Sequence, residues 1–323
     1  LNVRSEVIDR EGRRRGNQRI QEESASALMQ PPIVGQTVLG WDPAFRTGCK
    51  LAVVDPTGKV LDTTVIYPTA PQNRVEEAKA VLKKADIQNH ITLISLGNGT
   101  ASRESEQIIV QLLKEIPEPV QYIIVNEAGA SVYSASKLAT EEFPQFDVGQ
   151  RSAASMARRL QDPLAELVKI DPKSIGVGQY QHDMNQKKLT EALDGVVEDC
   201  VNRVGVDLNT LLLLLEYVSG VSKAIAKNIV LYREENGKFA PGSQLLKVAK
   251  LGPKAYEQCA GFLRISDGKN PLDATGFTRN PMRDQEALES LGYTLSDVTS
   301  RNVAGISKKI RDYKKLAQEL EIG

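Results

Sequence analysis

Residues 37–125 alternate in a fixed order between short apolar runs and amphipathic stretches, and this order constrains the fold more than any other feature. Three β-rich runs come first, from Val38 to Trp41, Leu51 to Val54 and Val60 to Ile66. The turn sequence Asp55-Pro56-Thr57-Gly58 separates the last two runs. Turn residues between alternating apolar runs are typical of paired antiparallel strands. The segment is therefore predicted to begin with an antiparallel meander.

Helix and strand patterns follow this meander in alternation. Apolar residues recur at helical spacing from Arg74 to Ala85 and from Arg103 to Ile116, whereas Ile91 to Leu96 and Tyr122 to Val125 are continuous apolar runs typical of buried strands. Three antiparallel strands followed by helix, strand, helix, strand and helix is the order of the ribonuclease H-like fold. We therefore predict an α/β domain with a mixed sheet and flanking helices.

The second half of the chain is helical in pattern, with glycines between its helices. The stretches Val218 to Ala224 and Val248 to Ala255 each read as the end of a helix, a tight turn containing glycine, and a second helix. Glycine permits positive φ and close approach of a ligand to the backbone, and the amides at a helix start attract anions. The fold class predicted for this half is an all-α, double helix-hairpin-helix domain.

These patterns divide the chain into four predicted segments. They are a helical, basic lead-in over 1–36, the ribonuclease H-like domain over 37–175, a helical connector with the double helix-hairpin-helix domain over 176–265, and a helical tail over 266–323.

Charge favours the hairpins as a nucleic-acid site. The whole chain has 41 basic and 41 acidic residues, so such a site must be a local patch. Residues 216–264 carry eight Lys or Arg against four acids, a local net charge of +4. Phosphate contacts would make binding sequence-tolerant and salt-dependent. The candidate contacts are Gly220, Ser222, Lys223, Lys227, Lys250, Gly252 and Lys254.

The hairpins also have a purely structural interpretation, in which they only connect helices. Ser222 and Lys250 each replace a glycine of the ideal Gly-x-Gly hairpin. One of the two hairpins would then be structural.

Composition excludes several classes of site. Three cysteines and two histidines form no zinc cluster or disulfide framework. The longest apolar run, Leu211 to Leu215, is much shorter than the ~20 residues of a membrane span. We expect a cytoplasmic protein that contacts no membrane, with no small-molecule substrate evident. Because the chain begins at Leu1, we also expect it to be the middle of a longer protein.

Three acids have the topological positions of a nuclease site. Asp42 ends the first strand, Glu127 follows the last apolar strand, and Asp162 lies on the later helix. Nucleases of the ribonuclease H-like fold arrange such acids around two divalent metals that act on a phosphodiester. The competing interpretation is that these are ordinary acids at strand ends, or a polar cluster that organises the sheet edge.

Several long motifs resemble those of the bacterial Tex family, the transcription accessory proteins, and the match runs from Val38 to Leu272. The motifs are the runs Asp42 to Lys50, Gly97 to Glu104, Asn126 to Ser134, Ala157 to Lys169 and Gly176 to Asp183. The resemblance implies a YqgF-type ribonuclease H-like domain followed by a double helix-hairpin-helix unit. It also implies a nucleic-acid binder that acts in transcription rather than a nuclease. The family usually has glycine where this chain has Ala44, whose methyl group would crowd a metal or phosphate.

The sequence thus predicts a transcription accessory protein that binds RNA or DNA through its hairpins, with the transcription machinery as a possible partner. Its ribonuclease H-like domain is predicted to be non-catalytic and to need no cofactor. The alternative is a structure-selective nuclease that uses Asp42, Glu127 and Asp162 with Mg²⁺ or Mn²⁺. A third hypothesis is an interaction scaffold whose hairpins touch protein.

Overall fold

The computed structural model divides the chain into two compact units, Leu1–Val197 and Glu198–Gly323. The residues that it describes are 18–175, 186–209, 212–265, 268, 271–274 and 288–300. The arginine-rich part of the lead-in, the motif Gly176 to Asp183 and most of the predicted tail lie outside the described residues.

A five-stranded mixed sheet forms the centre of the first unit, as the sequence predicted. Its strands are β1 (Val38–Asp42), β2 (Cys49–Val54), β3 (Val60–Ile66), β4 (Leu93–Gly97) and β5 (Gln121–Val125). Their spatial order is β3-β2-β1-β4-β5. The first three strands pair antiparallel, whereas β1, β4 and β5 pair parallel. The carboxyl ends of β1, β4 and β5 therefore meet at one edge.

The helices up to the hairpin region are α1 (18–28), α2 (Val75–Asn89), α3 (Ser102–Leu113), α4 (Ala130–Ser134), α5 (Lys137–Glu142), α6 (Val148–Gln161), α7 (Pro163–Leu167) and α8 (Gln186–Val204), with a 3₁₀ turn at Pro172–Ser174. Helices α2 and α3 pack on one face of the sheet, and α6 packs on the other. Leu39 and Trp41 belong to the core that contains the apolar residues of α2 and α3. Val38 packs with Ala157 of α6 on the opposite face. Burial on both faces explains the apolar runs of β1, β2 and β4. The prediction of a buried strand is wrong for β5, which is an edge strand with Ile123 and Ile124 37% and 47% exposed.

Helix α6 lies directly on the sheet because small residues line its contact. Ala153 and Ala157 are fully buried. A Cβ added to Gly40 would overlap the Ala153 carbonyl oxygen and lie 2.9 Å from the Ala157 nitrogen. The helix runs antiparallel to β1, since Nε2 of Gln161 donates to the Gln36 carbonyl at the start of that strand. The first turn of α6 is consequently at the carboxyl end of β1.

The second unit consists of short helices around the two hairpins. Its elements are α9 (Leu212–Glu216), α10 (Lys223–Asn236), α11 (Pro253–Cys259), 3₁₀ turns at Gly242–Lys247, Ala260–Phe262 and Pro271–Ala274, and short helical stretches at 288–290 and Leu295–Thr299. The unit is not all-helical, because Val206–Asp207 (β6) and Leu263–Arg264 (β7) pair in parallel. This pairing joins the chain on either side of the hairpins, a long-range contact that no local pattern shows.

No helix among the described residues is long and apolar enough to cross a bilayer.

Candidate functional site

Asp42 and Glu127 lie at the carboxyl ends of the parallel strands, and we call this pair the carboxylate edge. Asp42 is the last residue of β1, and Glu127 follows β5. Burial and the Asp42 charge raise the pKa of Glu127, while the Gly99 amide and Arg159 oppose this rise. A Cβ built on Gly97 would lie 2.8 Å from Oε2 of Glu127 and 3.5 Å from the carbonyl oxygen of Trp41, the residue before Asp42, so the structure brings these two predicted residues to the same edge.

Two glycines make room for the Glu127 carboxylate. A Cβ on Gly97 would lie 2.8 Å from Oε2 of Glu127, and one on Gly99 would overlap the carboxylate. The Glu127 amide donates to Oδ1 of Asn98 at 3.1 Å, which fixes the backbone at that position. Oε2 of Glu127 is buried and has no hydrogen-bond partner among the described residues. The turn after β4 therefore serves to position this acid.

A lysine lies opposite Asp42 on the neighbouring strand. Lys50 is its cross-strand neighbour in the β1–β2 register, on the face of the sheet that α6 covers. Burial raises the pKa of Asp42, whereas the Ser152 hydroxyl and the Lys50 ammonium favour the charged form. Nζ of Lys50 donates to Oγ1 of Thr47 at 2.6 Å. A Cβ on Gly149 would lie 2.7 Å from Cγ of Lys50, so α6 leaves room for the lysine stem.

A buried arginine holds the loop that carries Glu127. Arg159 is only 4% exposed, and its Nη1 donates to the carbonyls of Asn126 and Ala128, each at 2.8 Å. Burial lowers the pKa of Arg159 to about 10, although Glu166 and Glu127 act in the opposite direction. Its Nε and Nη2 have no hydrogen-bond partner among the described residues. Neither Arg159 nor Lys50 was a candidate from sequence.

Asp162 does not join the carboxylate edge. It follows the last turn of α6 and caps α7, where its Oδ1 accepts a hydrogen bond from the Ala165 amide at 3.1 Å. Ten residues of helix separate Asp162 from Ser152, a rise of about 15 Å. Among the described residues, no three His, Cys, Asp or Glu side chains form a group that could hold a metal ion. The expected three-acid cluster is therefore wrong, because α6 carries Asp162 away from Asp42.

The two hairpins have matching backbone geometry. The first hairpin (218–223) closes with a hydrogen bond from the Val221 amide to the Val218 carbonyl at 3.0 Å. The second hairpin (248–253) closes in the same way, from Leu251 to Val248 at 3.2 Å. The second residue after each acceptor has positive φ, +82° at Gly220 and +67° at Lys250. Lys250 thus has the conformation for which glycine is favoured.

The glycines of the hairpins have different environments. A Cβ on Gly220 would lie 2.6 Å from Cβ of Gln258, so the first hairpin packs tightly against α11. Gly252 is exposed, and a Cβ there would meet nothing within 4 Å. The close contact with Gln258 therefore requires glycine at position 220 in the first hairpin. At Gly252 in the second hairpin, by contrast, the backbone is accessible to solvent.

Two asparagines and a serine fix the hairpin loops. Asn202 of α8 accepts from the Ser219 amide at 3.0 Å, and Nδ2 of Asn228 in α10 donates to the Ala249 carbonyl at 2.8 Å. Oγ of Ser222 accepts from the Ile225 amide and caps α10. Sequence reasoning missed both asparagines, since nothing local distinguishes them from exposed helical residues.

The predicted lysines lie on the surface. Lys223 is 3.9 Å from Glu216, but its side chain remains 85% exposed. Lys227, Lys250 and Lys254 are exposed and form no ion pair with a described acid. The hairpins therefore present cations to solvent, whereas at the carboxylate edge Lys50 donates to Thr47 and Arg159 donates to backbone carbonyls.

Two family matches cover these sites. The family described as "Tex protein YqgF-like domain" matches residues 36–161, and "Helix-hairpin-helix motif" matches residues 201–264. The first match contains the sheet and Asp42, Glu127 and Arg159, and the second contains both hairpins.

Curated relatives match most of this chain. The "Uncharacterized protein YdcI" of Bacillus subtilis is 54% identical over 306 residues, 94% of this chain and 42% of that protein. The "Transcriptional accessory protein Tex" of Neisseria gonorrhoeae is 56% identical over 250 residues, 77% of this chain and 32% of that protein. The "S1 RNA-binding domain-containing protein 1" of Homo sapiens is 48% identical over 243 residues, 74% of this chain and 24% of that protein.

The chain spans less than half the length of these relatives. The mixed sheet lies within the residues of the first family match, and both helical hairpins lie within the residues of the second. By sequence and by fold, the chain belongs to the Tex family of transcription accessory proteins.

Proposed function

We propose that this chain binds the phosphate backbone of RNA or DNA through its two hairpins, as part of a cytoplasmic protein that supports transcription. The exposed lysines on two matched hairpins are the observation that carries the proposal. The helix-hairpin-helix match and the names of the Neisseria and human relatives support it. Contact with the transcription machinery is part of the same proposal.

The surface of the hairpins suits a sequence-tolerant contact. Lysine binds phosphate as a point charge and reads no base edge. Lys223 and Lys227 flank the start of α10, and Lys250 and Lys254 flank the open backbone at Gly252. Binding should therefore weaken steeply with salt and vary little with sequence.

The test measures affinity for single-stranded RNA and for duplex DNA across a salt series. Reversing two charges in Lys223→Glu/Lys254→Glu should weaken binding at least ~10-fold at low salt and reduce the salt slope by about 2, because each lost phosphate contact removes nearly one released counterion. The matched control is Lys84→Glu/Lys114→Glu, which makes the same change in net charge at exposed positions of the first unit. Unchanged affinity and slope in the hairpin variant would contradict the proposal. Loss of a protein partner with nucleic-acid binding intact would favour the scaffold hypothesis.

We also propose that the YqgF-like domain is non-catalytic and needs no cofactor. The support is the carboxylate edge itself, which has two acids where two-metal hydrolysis uses more, with Asp162 engaged as a helix cap. The nuclease alternative rests on the proximity of Asp42 and Glu127. Branched and linear substrates incubated with Mg²⁺ or Mn²⁺ distinguish the two: metal-dependent cleavage that is lost in Asp42→Asn would establish the nuclease.

A further inference from the structure

Lys250 has a backbone conformation that side chains rarely adopt. Among the described residues, four other than glycine have positive φ, namely Asn73, His90, Ala101 and Lys250. Asparagine tolerates this region, and His90 and Ala101 cap the ends of α2 and α3. Lys250, at φ +67°, occupies a loop position where glycine would be free of strain. Such strain persists only where the surrounding structure holds it, and it is concentrated at functional sites.

The strained residue lies at the tip of the second hairpin. Val248 and Leu251, on either side of the tip, are only 3% and 6% exposed, whereas Ala249 and Lys250 are exposed. In the part of the chain that the structure describes, the Lys250 ammonium forms no ion pair with a carboxylate. The buried neighbours anchor the loop, so the left-handed residue extends its charge into solvent.

The first hairpin has no room for such a side chain. Its equivalent position is Gly220, where a Cβ would lie 2.6 Å from Cβ of Gln258 and 3.3 Å from the Ala255 carbonyl oxygen. Its loop is held by Asn202, which accepts a hydrogen bond from the Ser219 amide at 3.0 Å. The two hairpins therefore share a backbone shape but differ at the tip, which is a packed glycine in the first and an exposed lysine in the second.

Asn228 holds the peptide group that precedes Lys250. This half-buried residue lies on α10, and its Nδ2 donates to the Ala249 carbonyl oxygen at 2.8 Å. Because the peptide bond is planar, fixing that carbonyl also fixes the Lys250 nitrogen, and φ of Lys250 is measured from this plane. On the other side, the Leu251 amide donates to the Val248 carbonyl at 3.2 Å. Lys250 is thus restrained on both sides, by one contact within its own loop and one from a different helix.

We propose that Asn228 is a positioning residue for nucleic-acid binding, which keeps Lys250 in its left-handed conformation so that the ammonium at the tip of the second hairpin contacts a backbone phosphate. The inference rests on the proposed function of the hairpins. It adds a side-chain phosphate contact that the first hairpin, with glycine at its tip, does not make. A strained residue retained for binding sets stability against affinity. Replacing Lys250 by glycine should therefore stabilise the fold and weaken binding, whereas a structural role alone predicts no loss of binding.

The test repeats the salt series with single-stranded RNA and duplex DNA on the full chain. Lys250→Gly should weaken binding about 5-fold at low salt and reduce the salt slope by about 1, because one phosphate contact is lost. Asn228→Ala should weaken binding about 3-fold, since Lys250 then spends less time in the binding conformation. The matched control is Asn236→Ala, also on α10, whose Nδ2 donates to the Tyr232 carbonyl of its own helix. This control should bind as tightly as the native chain.

A double variant distinguishes positioning of Lys250 from a general loss of structure. In the Lys250→Gly background, Asn228→Ala should weaken binding by less than about 1.5-fold, because the side chain that it positions is gone. If Asn228→Ala fails to fold, which circular dichroism would reveal, Asn228→Leu removes the same donor and fills the same space. The inference is overturned if the folded variant binds as tightly as the native chain, or if it weakens binding equally with lysine or glycine at position 250.

The same measurements separate this inference from the function on which it rests. If Lys223→Glu/Lys254→Glu left affinity and salt slope unchanged, the hairpins would not bind nucleic acid and both proposals would fail. If that variant weakened binding and the folded Asn228 variant did not, the role of Asn228 alone would be wrong.

Discussion

The carboxylate edge and the hairpins both combine charged side chains with glycines, but they use them in opposite ways. At the carboxylate edge, Gly97 and Gly99 make room for the chain's own Glu127, and Arg159 donates to the two carbonyls on either side of it. At the second hairpin, Gly252 faces open space and the nearby lysines face solvent. Charges that are satisfied internally stabilise a fold, whereas exposed and unpaired charges are available to a partner. The contrast identifies the hairpins as the better candidate for ligand binding.

The largest effect should come from the glycine contact between β1 and α6. Gly40→Ala places a methyl group into the backbone of Ala153, and relief requires α6 to move away from the sheet. We expect a loss of about 3 kcal/mol in the free energy of unfolding. Urea unfolding followed by the fluorescence of Trp41 measures it, since Trp41 is the chain's single tryptophan and is fully buried in the first unit.

Gly252→Ala is the matched control in the second unit. Its backbone angles, φ −78° and ψ 170°, suit any residue, and its Cβ would meet no neighbour. Stability by circular dichroism should change by less than about 0.5 kcal/mol. Equal losses of stability in the two variants would remove the distinction between a packed and an open glycine.

The next prediction concerns Glu142 of the first unit, whose carboxylate compensates buried positive charge. Glu142 accepts hydrogen bonds from Tyr133, Arg158 and Lys169, and the Lys169 side chain is 3% exposed. Glu142→Gln should cost about 2–3 kcal/mol at pH 7, because it leaves the Lys169 charge buried with less compensation. Urea unfolding of both proteins measures the difference.

The same substitution has a defined pH dependence. Burial raises the pKa of Glu142, but Lys169, Tyr133 and Arg158 outweigh it and hold the pKa below its usual value. The stabilisation is therefore complete above the unfolded-state pKa of about 4.3 and is lost as the pH falls through the lower folded-state pKa. The difference between native chain and Glu142→Gln should shrink below about pH 4. A difference that is constant down to pH 3 would contradict the charge explanation.

The hairpins offer an internal comparison, because the same left-handed position holds glycine in one and lysine in the other. Gly220→Ala should destabilise the second unit by about 1–2 kcal/mol, since it adds both an unfavourable φ and a contact with Gln258. Lys250→Gly should stabilise that unit by about 0.5–1 kcal/mol relative to Lys250→Ala. Amide hydrogen exchange in α10 and α11 measures both changes. Equal protection in Lys250→Gly and Lys250→Ala would contradict the strain at Lys250.

The sheet was predictable from sequence because its signals are local. The apolar runs match β1 to β5, although burial on both faces accounts for β1, β2 and β4 and not for the exposed edge strand β5. The residues Asp55 to Gly58 form the turn that their types predict. The ends of the elements were less predictable. Helix α6 begins at Val148, where the Asp147–Gln150 capping box starts the helix one turn before its first buried residue, Ser152.

The carboxylate edge was only half predictable, because its other members depend on how α6 crosses the sheet. Arg158 and Arg159 are adjacent and chemically identical, yet Arg158 contacts Glu142 and Arg159 contacts the loop of Glu127. Only the packed orientation of the helix distinguishes them. Asp162 was assigned to the site because the sequence order of strand and helix carries no information about the distance between their ends.

The smallest expected change in stability concerns Asp162 and distinguishes its role as a helix cap from its predicted role as an acid of the carboxylate edge. Burial raises the pKa of this carboxyl, so its environment disfavours the charge, and the contact that it makes is an accepted hydrogen bond from the Ala165 amide. Asparagine caps helices as well as aspartate does. Asp162→Ala should therefore cost about 1 kcal/mol, whereas Asp162→Asn should cost less than about 0.5 kcal/mol.

Unfolding followed by Trp41 fluorescence compares the two variants. If Asp162→Asn were as destabilising as Asp162→Ala, the negative charge rather than the cap would be what α7 requires.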